Sequence, residues 1–158
     1  MTHAAFKQKK THLTAIGISG FFLLIDQFFK YIAYTNPDLR FYMIDPWLGW
    51  EYLANPGIAF SLPIPNIFLV WSTPVILFLL CTLFIKKKER GVWYLLATTL
   101  ILVGATSNFI DRVLFGITID YIRVAHSVLN IADIMIVGGA LALLVQETKK
   151  TKRLPHRL

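Results

Sequence analysis

Three aspartates, Asp111, Asp120 and Asp133, fall near the ends of hydrophobic segments in the last third of this chain, with Asn108, Arg112 and Asn130 close by. A carboxylate beside a bilayer is costly, so an acid at a membrane edge points to function by default. Two carboxylates held close together cannot both ionise easily. One keeps a proton and the other can activate water, a chemistry that needs no metal, no cofactor and no nucleophilic side chain. Other chemistries are poorly supplied. The four histidines, His3, His12, His126 and His156, have no recognised metal-ligand spacing, and Cys81 is the single cysteine. HExxH, Gly-x-Ser-x-Gly and P-loop patterns are all absent from the sequence. The residues alone leave open which two of the three acids pair.

Further polar residues belong to the same end of the spans. Asp26 and Lys30 are four apart, in the favourable acid-before-base order on one helix face. They read either as an ion pair with Lys30 snorkelling outward, or as Asp26 turned into a shared site. Gly104, Asn108 and Arg112 form one stripe, with Ser107 and Asp111 beside it. Helix packing through small residues explains Gly104 and Ser107, but not an Asn and an Arg at the outward end. Asn130 fits a helix N-cap. Capping leaves Asp133, three residues on, without a reason. Asp120 sits among Ile117, Ile119, Tyr121 and Ile122, which argues for a place against the membrane surface rather than on an exposed loop.

The elements that must position these residues are membrane spans. The 158 residues are 56% hydrophobic, and the mean hydropathy is +0.59. Four apolar segments stand out, at about 13–34, 67–85, 92–110 and 129–145, the last shorter and carrying Asp133 near its start. The first lacks a small-residue cleavage site and reads as a retained anchor. The net charge of +7 is distributed in a way that excludes nucleic acid as the partner. Twelve of the sixteen Lys and Arg residues lie in the N-terminal tail, the 86–90 loop and the C-terminal tail, all on one side of a four-span chain. The positive-inside rule places that side in the cytoplasm, with residues 35–66 and 111–128 facing outward. The expected fold is an all-α membrane protein of one domain over residues 1–158, with both termini cytoplasmic. A small extracytoplasmic β-rich segment completes it. Trp47, Trp50 and Tyr52 predict a strand or hairpin at the interface, which the surrounding prolines limit to short edge strands. Asn55-Pro56-Gly57 is a turn signal, and Pro74 predicts a kink in the second span.

Taken in order, Asp26-x-x-x-Lys30, Asn55-x-Gly57-x-Ala59-Phe60, Gly104-x-x-x-Asn108-x-x-Asp111-Arg112, Asp120-Tyr121 and Asn130-x-Ala132-Asp133 resemble the bacterial lipoprotein signal peptidases (type II signal peptidases). The resemblance covers nearly the whole chain. It implies a membrane aspartic endopeptidase of the bacterial inner membrane, with its active site on the extracytoplasmic side. Such an enzyme would cut prolipoproteins just before a diacylglyceryl-modified Cys. Carried over by motif, Asp120 and Asp133 are the catalytic pair. Asp26, Asn55, Asn108, Arg112 and Asn130 line or support the site, and Lys30, Gly57, Gly104 and Asp111 support the fold. The implied partners are the lipid-modified precursor and membrane lipids. No cofactor or metal is expected, and the chain is expected to act as a monomer. The sequence departs from the family pattern at Ser107, where Gly is usual, and at Tyr121, where Phe is usual. A third departure is the short 121–129 stretch, where His126-Ser-Val-Leu129 replaces an aromatic residue and a proline. Two other readings fit the same residues. One is a small ion-coupled transporter using Asp26, Asp111 and Asp133 as a proton relay, and the other is an inactive member of the same family.

Overall fold

The structure, a computed structural model, describes residues 3–57, 64–87 and 91–153. The motif residues Ala59 and Phe60, the loop residues Lys88 and Arg90 and the tail residues His156 and Arg157 lie outside these. Four helices and four strands follow in the order α1 (His3–Thr35), β1 (Arg40–Ile44), β2 (Leu48–Asn55), α2 (Asn66–Lys86), α3 (Val92–Phe115), β3 (Thr118–Val124), β4 (Ser127–Leu129) and α4 (Ile131–Arg153). All four helices contain stretches long and apolar enough to cross a membrane. Their outer faces carry bare apolar side chains, among them Phe21, Leu24, Phe28, Trp71, Phe78 and Leu144. In water such a surface would drive aggregation; against lipid it is the expected solvent-facing composition.

Several boundaries differ from the sequence reading. The third helix runs beyond the apolar stretch that ends at residue 110. It continues through Asp111 and Arg112 to Phe115, where Gly116 at φ 74° closes it and donates its N–H to the Arg112 carbonyl (3.1 Å). Apolar periodicity could not see this turn, because its inward face is polar. The fourth helix begins at Ile131 rather than 129 and runs well past Val145, since its last turns are polar but helix-favouring. Helix α1 extends back to His3 for the same reason. Helix α2 passes through Pro74 without interruption.

The strands form one antiparallel sheet in the order β1-β2-β3-β4. Trp50 and Tyr52 lie on β2, which is a central strand and not an edge, because the prolines fall in the turns on either side: Pro46 before β2, Pro56 after it. The stretch between Asp120 and Asn130 is a tight β3–β4 hairpin turning at Ala125-His126. On β3 the side chains alternate. Ile119 and Tyr121 pack with Ala33, Phe29 and Trp50 in the buried apolar cluster between α1 and the sheet. Trp50 sits 5.0 Å from Tyr121 and 5.7 Å from Phe29, ring centre to ring centre. Asp120 therefore points the other way, toward the ends of α3 and α4.

Helices α3 and α4 approach closely, and glycine permits it. A Cβ on Gly104 would stand 2.7 Å from the Ala132 carbonyl, and one on Gly139 would stand 2.6 Å from the Ala97 carbonyl. Backbone meets backbone at both points, as in small-residue packing between membrane helices.

Candidate active site

Helix α4 starts with a reciprocal cap. The Asn130 side-chain Oδ1 accepts from the Asp133 N–H (2.8 Å), and the Asn130 N–H donates to Asp133 Oδ2 (3.3 Å). This is the capping-box arrangement, with Asn at the cap and the acid three residues on. Capping thus does account for where Asp133 sits, contrary to the sequence reading. Asn130 is doubly employed, since its Nδ2 donates to Asp120 Oδ1 (2.7 Å), Asn108 Oδ1 (3.2 Å) and the Ile119 carbonyl (3.4 Å). One amide therefore joins the strand bearing Asp120 to the helix bearing Asp133.

Each of these two acids is otherwise held by neutral amides. Asn55, opposite Thr118 at the end of β2, is a diagonal neighbour of Asp120 and donates to its Oδ2 (2.9 Å). The Asn55 Oδ1 accepts from the Gly57 N–H (3.0 Å), which fixes the turn. Asn108 donates to Asp133 Oδ1 (2.8 Å). Asp120 is buried, at 1% exposed, while Asp133 is half-buried. Burial, and then the charge of Asp133, push the Asp120 carboxyl up from 3.8 to about 7, against the lowering effect of the Asn55 and Asn130 hydrogen bonds.

Asp133 opens onto a cavity of about 200 Å³ lined by Thr73, Ala105, Asn108, Arg112, Ile136 and Val137. Arg112 reaches back over it from the last turn of α3. Its Nη2 donates to the Gly57 carbonyl (3.3 Å) and its Nη1 to the Asn108 carbonyl (3.4 Å). Its buried Nε has no hydrogen-bond partner among the described residues.

The third acid belongs to a different cluster. Asp111 and Asp26 both pair with Lys30, at 2.8 and 2.9 Å, and all three side chains are at most 1% exposed. Lys30 does not snorkel outward; it is buried and also donates to Asn108 Oδ1 (2.9 Å) and Ser107 Oγ (3.3 Å). Ser107 in turn donates to Asp26 Oδ2 (2.6 Å), and Gln27 donates to Asp111 Oδ1 (3.1 Å) and Ser107 Oγ (2.8 Å). Asp111 Oδ2 accepts the Ile119 N–H (3.2 Å), anchoring β3 to α3. Asp26 Oδ1 accepts from the Ala132 N–H (3.2 Å) at the positive end of α4 and from the Tyr121 hydroxyl (2.9 Å). Tyr121 itself accepts the Ile131 N–H (3.3 Å).

The structure thus brings together Asp26, Lys30, Asn55, Asn108, Asp111, Arg112, Asp120, Asn130 and Asp133, drawn from α1, β2, α3, β3 and α4. Asp26 lies behind the cavity, joined to α4 and β3, and does not line it. Gly104 and Gly57 set backbone distances. Gln27, Thr73 and Gly139 were missed. Gln27 sits next to Asp26, the only clue available; Thr73 and Gly139 are ordinary in membrane helices. Ser107, read as a packing residue, and Tyr121, read as an apolar neighbour of Asp120, are hydrogen-bonded members of the buried network. Among the described residues, no group of three or more His, Cys, Asp or Glu side chains is placed to hold a metal ion.

Comparison with known proteins bears on the family and the fold. Residues 18–149 match the family model described as signal peptidase (SPase) II. A lipoprotein signal peptidase of Caldanaerobacter subterraneus subsp. tengcongensis is 37% identical over 135 residues, covering 82% of this chain and 92% of the relative. A lipoprotein signal peptidase of Staphylococcus aureus is 31% identical over 146 residues, 87% of this chain and 90% of the relative. Two solved structures, each described as a bacterial membrane enzyme determined by the in meso method, are similar at 30% identity. Their TM-scores are 0.82, over 92% of this chain and 94% of the other, and 0.74, over 84% and 91%.

Proposed function

We propose that this chain, which belongs to the signal peptidase II family, removes signal peptides from diacylglyceryl-modified prolipoproteins by means of an aspartic dyad, Asp120 and Asp133. Family membership makes it a peptidase and sets the transporter reading aside. The observation that carries the dyad is the shared amide of Asn130, which bonds Asp120 while capping the helix that bears Asp133.

A water molecule is bound between the two carboxyl groups. Near neutral pH the two carboxyl groups share one proton, because burial and the neighbouring acid raise Asp120 to about 7, and the reactive form is the one with that proton on Asp120. Ionised Asp133, facing the cavity, takes a proton from the water as its oxygen attacks the scissile carbonyl. Asp120 donates its proton to the carbonyl oxygen. The resulting gem-diol then collapses: Asp133 passes its proton to the leaving amine, and Asp120 recovers the one it gave. Asn108 and Asn130 keep both carboxyl groups oriented throughout. Arg112 and the Asn55–Gly57 turn hold the substrate backbone. The acyl chains lie against Ile136 and Val137, where the cavity wall is continuous with the bare apolar side of α4.

The basic tails and 86–90 loop support cytoplasmic termini, hence a dyad and sheet at the extracytoplasmic face of the bacterial inner membrane.

The test is cleavage by the purified full chain of a synthetic precursor peptide carrying a diacylglyceryl thioether on its Cys. A single cut before that Cys, unaffected by a metal chelator, is expected. An uncut precursor, or inhibition by the chelator, overturns the reading.

A further inference from the structure

The end of the bundle opposite the dyad has a groove that the cleavage chemistry does not use. It lies between the start of α3 and the end of α4, has a volume of about 350 Å³, and is lined by Trp93, Leu141, Ala142, Val145, Gln146 and Lys149. Lys149 is sixteen residues beyond Asp133 on the same helix, so the two lie about 24 Å apart along its axis, most of the thickness of a bilayer's hydrocarbon core. The groove is graded. Leu141, Ala142 and Val145 form an apolar length, and Gln146 and Lys149 follow at the end toward the C-terminus. Trp93, 71% exposed, stands at its rim, the place aromatic side chains take at headgroup depth. The exposed side chains of Val137, Leu141, Leu144 and Val145 make this groove continuous with the lipid-facing side of α4.

We propose that this groove binds one anionic phospholipid of the surrounding leaflet, with an acyl chain along Leu141, Ala142 and Val145 and the phosphate at Lys149. The charge of this end selects the headgroup. Glu147, the nearby acid, is taken by Lys87 at 2.7 Å. Lys87 is further fixed 3.8 Å over the ring of Tyr94, which holds it on that acid. Lys149 has no acidic partner among the described residues. The sequence adds Lys150, Lys152 and Arg153 directly after it, and the stretch that joins α2 to α3 carries Lys86, Lys88 and Arg90. Basic residues clustered at the end of a span attract acidic lipid at about 1 kcal/mol each. A zwitterionic headgroup would bring its own cation against them. The apolar length supplies what an inorganic anion could not use.

The full chain, purified in detergent with phosphatidylcholine present, is titrated with phosphatidylglycerol, and retained lipid is read by native mass spectrometry. One phosphatidylglycerol per chain is expected to persist where phosphatidylcholine is lost, and excess inorganic phosphate should not displace it. Lys149→Gln should lower that retention about fivefold. Ala142→Trp, which fills the groove, should abolish it, and both variants should cleave the precursor at the wild-type rate. Lys149→Gln decides the matter alone if the tryptophan variant fails to assemble. Equal retention of the two lipids by the unaltered chain, displacement by phosphate, or unchanged retention in Lys149→Gln overturns the proposal.

Discussion

Two clusters of acids lie side by side at one end of this bundle, and their partners differ. Asp26 and Asp111 are compensated by a buried ammonium, Lys30, and every oxygen of the pair accepts a bond that ties one element to another. Asp120 and Asp133 are held by amides alone, and one of them opens onto a cavity. The first arrangement fixes charge; the second leaves it unsettled. A carboxylate paired with a cation is poorly suited to hold and release a proton, whereas one held by neutral donors beside another acid is poised to do so. Asn108 joins the two clusters, because its Oδ1 accepts from Lys30 while its Nδ2 donates to Asp133. The cation thereby orients the amide that orients the dyad.

The widest separation is expected from substitutions in the dyad. Asp120→Asn or Asp133→Asn should reduce cleavage of the lipidated precursor by about 10²–10⁴-fold, the usual range for general acid–base groups, while leaving the protein folded. Lys30→Met should show the opposite pattern. It strands two acids in a dry site, and breaking a buried pair costs about 3–5 kcal/mol, so yield and thermal stability should collapse before any rate can be assigned. A stable, active Lys30→Met protein would erase the distinction between the clusters.

The pH response sharpens it further. Asp120 has a folded value of about 7 against 3.8 when unconstrained. Between those values the folded state holds a proton that the unfolded chain has released, so stability declines as pH rises from about 4 through 7. Asp120→Asn should flatten that decline in a series of melts, and the wild-type kcat/KM should fall above about pH 7 as the shared proton is lost. The smallest effect is expected from Tyr121→Phe. It removes the hydroxyl between Asp26 and the Ile131 N–H, a change of about 1 kcal/mol per hydrogen bond, visible as a lower melting temperature with the pH profile unmoved.

Much of the site was legible in the sequence because its residues are costly where they stand. Asn, Asp and Arg at the ends of apolar segments announce themselves, and the spacing of Asn108 to Arg112 already placed them on one helix face. What stayed hidden depends on partners that single positions do not reveal. Nothing in Lys30 alone distinguishes snorkelling from burial; that depends on Asp111, eighty-one residues away. Asp133 looked unexplained beside Asn130 because the reciprocal cap needs both the side chain and the backbone of each. The helix ends moved for a related reason: the last turn of α3 is polar inward and apolar outward, the reverse of a soluble helix, so hydropathy stops short of it. The sheet was underestimated because the prolines around Trp50 were read as limiting it to short edge strands, whereas Pro46 and Pro56 bracket a central one.

The account is tested most directly by the cleavage rate per folded molecule of Asp133→Asn on a diacylglyceryl-modified precursor, measured beside its thermal melt. A wild-type melt with cleavage reduced at least about 10²-fold is the expected result. A folded Asp133→Asn protein that cleaves at the wild-type rate would contradict it.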